Sequence, residues 1–145
     1  MKKAVLTVAA VVLGFTMSAQ SYNKSEVLVK RPEVNVINYY EGDKLDRQMI
    51  YWPFQNARYT HITDIGSVAV WNQEDLDELI SDLETALKMS EQNVSWRGKS
   101  GSVNTGESSL GRGYITIDDG RKYTFITKAQ VNTVISALKS FSFSI

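Results

Sequence analysis

His61 is the only histidine in the chain, and it is the side chain best suited to proton transfer near neutral pH. Asp64 is close enough in sequence to orient it, and on a strand His61 would share a face with Tyr59 and Thr63. Nucleophilic catalysis also needs a serine brought to the imidazole, and no Gly-x-Ser-x-Gly elbow supplies one. We therefore expect a structural or surface histidine, with a small extracytoplasmic hydrolase that uses His61 as the alternative.

A segment rich in glycine and serine, residues 97–113, includes Gly106-x-x-x-x-Gly111-Arg112, which is close to a phosphate-binding loop. Such a loop needs Lys followed by Ser or Thr at the start of a helix, whereas here Arg and Gly lead into a predicted strand. We therefore expect a flexible hairpin connection. It carries three basic residues that we expect to form a separate polar rim of a binding surface: Arg97, Lys99 and Arg112.

The acidic residues have no spacing that is typical of catalysis or of a calcium loop. The chain contains no cysteine, so a zinc site would lack its thiolate ligands, and one histidine cannot replace them. Turns and helix starts already account for the clustered carboxylates. The sequence therefore predicts no catalytic residue, no metal and no cofactor.

Aromatic side chains are the stronger candidates for a binding site, because six of them fall between residues 39 and 59. Neighbours such as Tyr39 and Tyr40 point to opposite faces of a strand, so some aromatic surface is expected outside the core. That surface could stack on sugar rings or receive a protein partner, and cross-strand or core packing is the alternative. Four residues are our candidates for binding: Tyr40, Trp52, Phe54 and Tyr59.

The strands that must position these residues are predicted by alternating apolar residues between turn signals. Asp119-Gly120 marks a tight hairpin turn between the last two of them. The predicted strands are residues 26–30, 34–40, 48–52, 57–63, 67–71, 113–118 and 121–126.

A strand followed by an amphipathic helix occurs twice in the chain, with the two copies 55 residues apart. The helices are predicted at residues 72–88 and 127–139, with Asn72 as one N-cap and Thr127 with Gln130 as a capping box. This pattern predicts an α+β fold in which an antiparallel sheet has both helices packed on one face. The internally repeated units span about residues 26–89 and 93–141.

This order of elements is similar in outline to duplicated strands-then-helix domains, among them the whirly and PUR-type binders of single-stranded nucleic acid. The likeness is one of architecture, since the chain contains no sequence motif of those families, and architecture does not assign an activity. Without Lys2 and Lys3 the chain has 14 basic and 16 acidic residues, a net charge of −2. We therefore expect no nucleic-acid partner.

The first nineteen residues have the features of a signal peptide: Lys2 and Lys3, an apolar stretch from Ala4 to Phe15, and small residues before Gln20. Cleavage after Ala19 would leave one exported domain, residues 20–145, in the periplasm or outside the cell, with no transmembrane segment. We expect this domain to be a non-catalytic module that binds an envelope protein or a carbohydrate. A structural protein that docks a partner on a free sheet edge is a further alternative.

Overall fold

The computed structural model describes residues 20–108 and 111–145, with the backbone alone for residues 107, 108, 111 and 112. The predicted signal peptide, residues 1–19, lies outside the described residues, and export therefore stays a prediction. The described elements are β1 Ser21–Val29, β2 Val34–Glu41, β3 Lys44–Gln55, β4 Ile65–Val70, α1 Gln73–Glu91, β5 Trp96–Arg97, β6 Val103–Ser108, β7 Gly111–Asp118, β8 Tyr123–Ile126 and α2 Lys128–Lys139. The fold is mixed α+β.

The strands form two antiparallel four-stranded sheets, each in simple chain order. The first sheet contains β1 to β4 and is followed by α1, and the second contains β5 to β8 and is followed by α2. The predicted hairpin at Asp119-Gly120 is present: β7 pairs with β8, and Gly120 has a φ of 95°, which favours glycine.

Both helix starts have the predicted caps. The Asn72 side chain accepts a hydrogen bond from the backbone N–H of Asp75 at 2.8 Å. Thr127 and Gln130 form the reciprocal capping box, with bonds of 3.1 and 3.0 Å between each side chain and the other residue's backbone N–H. Each helix therefore begins where its local sequence satisfies the free N–H groups of its first turn.

The sheets and helices share one core, in which each helix contacts the sheet of the other half. Helix α1 packs against β6 and β7, while α2 packs against α1 and against β1. Buried apolar side chains of both sheets and both helices form one cluster, with Leu76, Leu83, Ile117, Val131 and Leu138 among the fully buried ones. We predicted one sheet with both helices on one face, and the structure has two sheets instead. The four strands of each half pair only with one another, which gives two separate sheets. Each sheet still needs an apolar layer against its buried face, and elements of the other half supply it.

Two predicted local structures differ from the observed ones. Residues 57–63, predicted as a strand, form an irregular connection between β3 and β4. The glycine- and serine-rich segment, predicted as a flexible connection, contains the strands β6 and the start of β7. Val103 and Thr105 of β6 are buried, and this tertiary burial outweighs the poor strand propensity of the neighbouring Asn104 and Gly106.

Candidate functional site

Two of the four predicted aromatic binding residues lie in the core. Trp52 is 1% exposed and Phe54 is 7% exposed, and both belong to the central apolar cluster. They share strand parity with Ile50, which is also buried, so all three side chains point to the covered face of the first sheet. Neither ring is available to a ligand in this structure.

Tyr40, the third predicted residue, takes part in an aromatic stack near the end of the β2–β3 hairpin. Its ring is parallel to that of Tyr22 on β1, with centroids 5.1 Å apart and planes at 13°. The two residues are cross-strand partners, which fixes this contact. The Lys24 ammonium lies 5.5 Å from the Tyr40 centroid and 6.0 Å from that of Tyr22, within cation–π range.

Tyr39 points to the other face of the same sheet end, as strand alternation requires. Its ring stacks on Trp71, the residue after β4, with centroids 5.9 Å apart and planes at 26°. Arg47 is the cross-strand partner of Tyr39, and its guanidinium carbon lies 4.9 Å from the Tyr39 centroid and 5.4 Å from the Trp71 centroid. A cation is thus held against two aromatic rings.

We call Tyr22, Tyr39, Tyr40, Arg47 and Trp71 the hairpin-end cluster. A groove of about 280 Å³ is lined by both rings of the Tyr22–Tyr40 stack and by Tyr39 of the other stack, and Trp71 is not among its lining residues. In each stack one ring is strongly exposed, 39% for Tyr22 and 44% for Trp71. The groove is lined by Ser21, Tyr22, Asn23, Tyr39, Tyr40, Glu41, Asp46 and Arg47. Aromatic side chains, two carboxylates and a guanidinium therefore line one open depression.

The second sheet has its own aromatic cluster, which we call the second-sheet cluster: Tyr114, Tyr123 and Phe125. These residues alternate with the buried Ile115, Ile117 and Ile126 and lie on the opposite face of the sheet. Phe125 makes edge contacts with both tyrosines, at 5.8 Å and 73° to Tyr114 and at 5.7 Å and 82° to Tyr123. Its ring is only partly exposed.

Tyr59 and His61 lie in the exposed connection between β3 and β4. Tyr59 is near the Arg58 guanidinium, 5.8 Å from the ring centroid, and is not part of the hairpin-end cluster. Asp64 forms an ion pair of 2.7 Å with Lys122 and accepts a 2.9 Å hydrogen bond from Asn56. Within residues 20–108 and 111–145 no hydrogen bond joins His61 to Asp64 or to a hydroxyl group, so the geometry adds nothing in favour of a hydrolase.

The ion pair of Asp64 with Lys122 joins the β3–β4 connection to the residue just before β8, and it affects the pKa of Asp64. Hydrogen bonds from Lys122 and then Asn56 hold the pKa of Asp64 below its ordinary value. The backbone N–H groups of Lys122 and Arg121 likewise lower the pKa of Asp119, in the turn that precedes β8. Both carboxylates join the two halves of the molecule, Asp64 through Lys122 and Asp119 through the backbone N–H of Ser67. A backbone hydrogen bond of 2.7 Å from Ala57 to the Tyr123 carbonyl joins them at the same place.

The predicted basic rim lies on the second half of the molecule. Arg97 is exposed on β5, and Lys99 is exposed in the loop after it. That loop is held by the buried Asp82 of α1, which accepts hydrogen bonds from the backbone N–H groups of Lys99 and Ser100 at 3.1 and 2.8 Å. Arg112 pairs through its backbone with residue 107 of β6, and its side chain lies outside the described atoms.

Sequence reasoning missed Tyr22, Arg47 and Trp71 as binding candidates. The alternation of side chains along a strand could have identified Trp71. Val70 is apolar and suited to the core, so the side chain of the next residue must point away from the core. Tyr22 and Arg47 join the cluster only through cross-strand register, which needs the pairing of β1, β2 and β3. In the described part of the chain, no group of three or more His, Asp or Glu side chains is arranged to hold a metal ion.

Comparisons of this chain with protein-family models, with curated proteins and with solved structures give no match. In the same described residues, no helix is long and apolar enough to cross a membrane. The functional proposal therefore rests on the geometry of the site.

Proposed function

We propose that this protein is a non-catalytic module, acting outside the cytoplasm, that binds a saccharide at the hairpin-end cluster. The observation that carries the proposal is a groove at one sheet end that is lined by the stacked Tyr22 and Tyr40, by Tyr39 and by charged side chains. Export, expected from residues 1–19, is part of the same proposal, because it would bring the module to envelope or extracellular carbohydrate.

The chemistry of a sugar ring matches the side chains at this groove. A pyranose ring has an apolar C–H face that packs flat on an exposed aromatic ring, as Tyr22 offers in the groove and Trp71 offers beside Tyr39. Its edge carries hydroxyl groups, which donate to carboxylates such as Glu41 and Asp46 and accept from the Arg47 guanidinium. A few polar groups around an apolar surface are typical of small-ligand sites.

The parallel geometry of the stacks favours a stacked ligand over a purely structural role. In each pair the inner tyrosine supports the outer ring, so that the outer ring is held without losing all of its exposed area. A ring that is already ordered loses little conformational entropy when a ligand binds, which raises the affinity available from one contact.

The test is a saccharide array followed by calorimetry on the best oligosaccharide. We expect Tyr22→Ala and Trp71→Ala each to raise Kd by about tenfold or more, since stacked aromatic residues dominate binding energy at such sites. Tyr114→Ala and Tyr123→Ala are matched controls that remove equivalent exposed tyrosines from the other sheet, and we expect them to leave Kd unchanged. A chain that binds no saccharide, or whose affinity survives both cluster substitutions, would overturn the proposal.

A further inference from the structure

Strand β1 offers the longest free backbone edge among the described elements. It lies at the end of the first sheet and pairs with β2 alone, and residues 21–27 are all exposed. The edges of the second sheet are short, with two residues in β5 and four in β8. A nine-residue edge with unpaired N–H and C=O groups is a template for pairing with another strand.

The other edge of the first sheet, β4, is partly occupied by the second half of the molecule. The Ile65 carbonyl accepts a 3.1 Å hydrogen bond from the Lys122 ammonium, and the Ser67 N–H donates to an Asp119 carboxylate oxygen at 3.4 Å. These contacts satisfy backbone groups that a docking strand would need. Strand β1 contacts α2 and is buried only at Val29, and among the described residues no side-chain hydrogen bond covers the backbone of residues 21–27.

The sequence of β1 is electrostatically complementary to itself in antiparallel register. When two copies pair about a two-fold axis at Ser25, Lys24 of each copy stands opposite Glu26 of the other, so two opposite-charge pairs form at once. The same register places Val27, which is 63% exposed, opposite Asn23 of the other copy. Edge strands that avoid pairing commonly carry lysine, proline or a bulge. Strand β1 has no proline, its register shift lies at its buried end between Val27 and Val29, and its one lysine, Lys24, has an acidic partner in this register.

We propose that the free edge of β1 pairs with β1 of a second copy of this chain, antiparallel and centred on Ser25. The two first sheets then form one continuous sheet across the two-fold axis, with four strands from each copy. Backbone hydrogen bonds supply the attraction, and the paired charges at positions 24 and 26 select the register. The small area of one strand pair makes this a weak, concentration-dependent dimer.

The test is sedimentation equilibrium of protein purified after expression of the full 145-residue chain, without saccharide. We expect a dimer at about 200 μM that dissociates on dilution. Lys24→Glu and Glu26→Lys each turn both attractive pairs into repulsive ones, and each should raise the dimer Kd by about tenfold or more. The double variant Lys24→Glu/Glu26→Lys restores opposite charges and should return Kd to near the original value.

Lys128→Glu, an exposed charge reversal on α2, is the matched control and should leave the dimer unchanged. Circular dichroism checks that each variant is folded, because Glu26 also accepts a hydrogen bond from Asn38. A monomeric wild-type protein overturns the inference, as does a dimer that survives both single reversals. Failure of the folded double variant to dimerise overturns the register. These outcomes are independent of saccharide binding, since the dimer is measured without a ligand.

Discussion

The hairpin-end cluster and the second-sheet cluster contain similar side chains and differ in how the rings meet. At the hairpin end, the rings lie parallel, with interplanar angles of 13° and 26°, and basic side chains approach both pairs. In the second sheet, Phe125 meets its two tyrosines edge to face at 73° and 82°. Both clusters lie on the surface, and the rings of the hairpin-end cluster are the ones that lie parallel beside the groove.

The difference shows how ring orientation separates a binding surface from a stabilising one. In an edge-to-face contact, the face of one ring is covered by the edge of the other, so the aromatic surface is used within the protein. A parallel stack leaves the outer ring's far face available, and the inner ring supports it. This contrast is why the proposed saccharide site is the hairpin-end cluster, and it predicts a mainly stabilising role for the second-sheet cluster.

The largest effect that this comparison predicts is on stability in the second sheet. Phe125→Ala removes a partly buried ring together with both of its edge contacts, and we expect it to lower the free energy of unfolding by about 2–3 kcal/mol. Trp71→Ala, at the hairpin end, removes a ring that is 44% exposed and should cost less than about 1 kcal/mol. Urea denaturation measures both. Equal losses in the two variants would contradict the division between the clusters.

The next effect is the acid sensitivity of the junction beside the second-sheet cluster. The pKa values of Asp64 and Asp119 are lower in the folded state than in the unfolded state, so folding favours their charged forms. Their contribution to stability is therefore complete above the unfolded-state pKa near ~4 and is lost as the pH falls through the lower folded-state values.

Asp64→Asn should weaken the protein at neutral pH and reduce its further loss of stability on acidification. The measurement compares the urea midpoint at about pH 7 and about pH 3 in the wild type and the variant. Lys122→Met removes the ammonium that pairs with Asp64 but keeps the backbone N–H that donates to Asp119, so it should reduce the part of the acid loss that comes from Asp64. If acidification destabilised both variants as much as the wild type, the acid sensitivity would arise from other groups. The junction beside the second-sheet cluster would then have no special electrostatic role.

The parts of the fold that sequence could predict are those controlled by near neighbours. Asn72 caps α1 and Thr127 caps α2 because the partner N–H groups lie three residues away. Pairing of β7 with β8 follows from a local turn signal. The division into two sheets, and the contact of each helix with the opposite half, depend on distant packing that no short stretch of sequence encodes.

The candidate site divides in the same way. Tyr39 and Tyr40 could be assigned to opposite faces from alternation alone, but nothing local showed that Tyr22 and Trp71 would stack on them. Trp52 and Trp71 are the same residue type in similar apolar surroundings of the sequence. Trp52 points into the core from β3, whereas Trp71, directly after β4, lies on the exposed side. Register across three strands decides which aromatic residues meet, and it becomes visible only when the strands are paired.

The smallest predicted effect concerns the cation at the hairpin end. Arg47→Met keeps a long apolar side chain but removes the charge that lies over Tyr39 and Trp71. We expect a loss of about 0.5–1 kcal/mol in the free energy of unfolding, the range of exposed cation–π contacts. Arg97→Met, an equivalent change at an exposed arginine of the second sheet, is the matched control and should cost less.

Because Arg47 also lines the groove, its substitution should weaken saccharide binding more than it weakens the fold. If Arg97→Met destabilised the protein more than Arg47→Met, the contact of Arg47 with the Tyr39 and Trp71 rings would contribute nothing special to stability. The two clusters would then not differ in this respect.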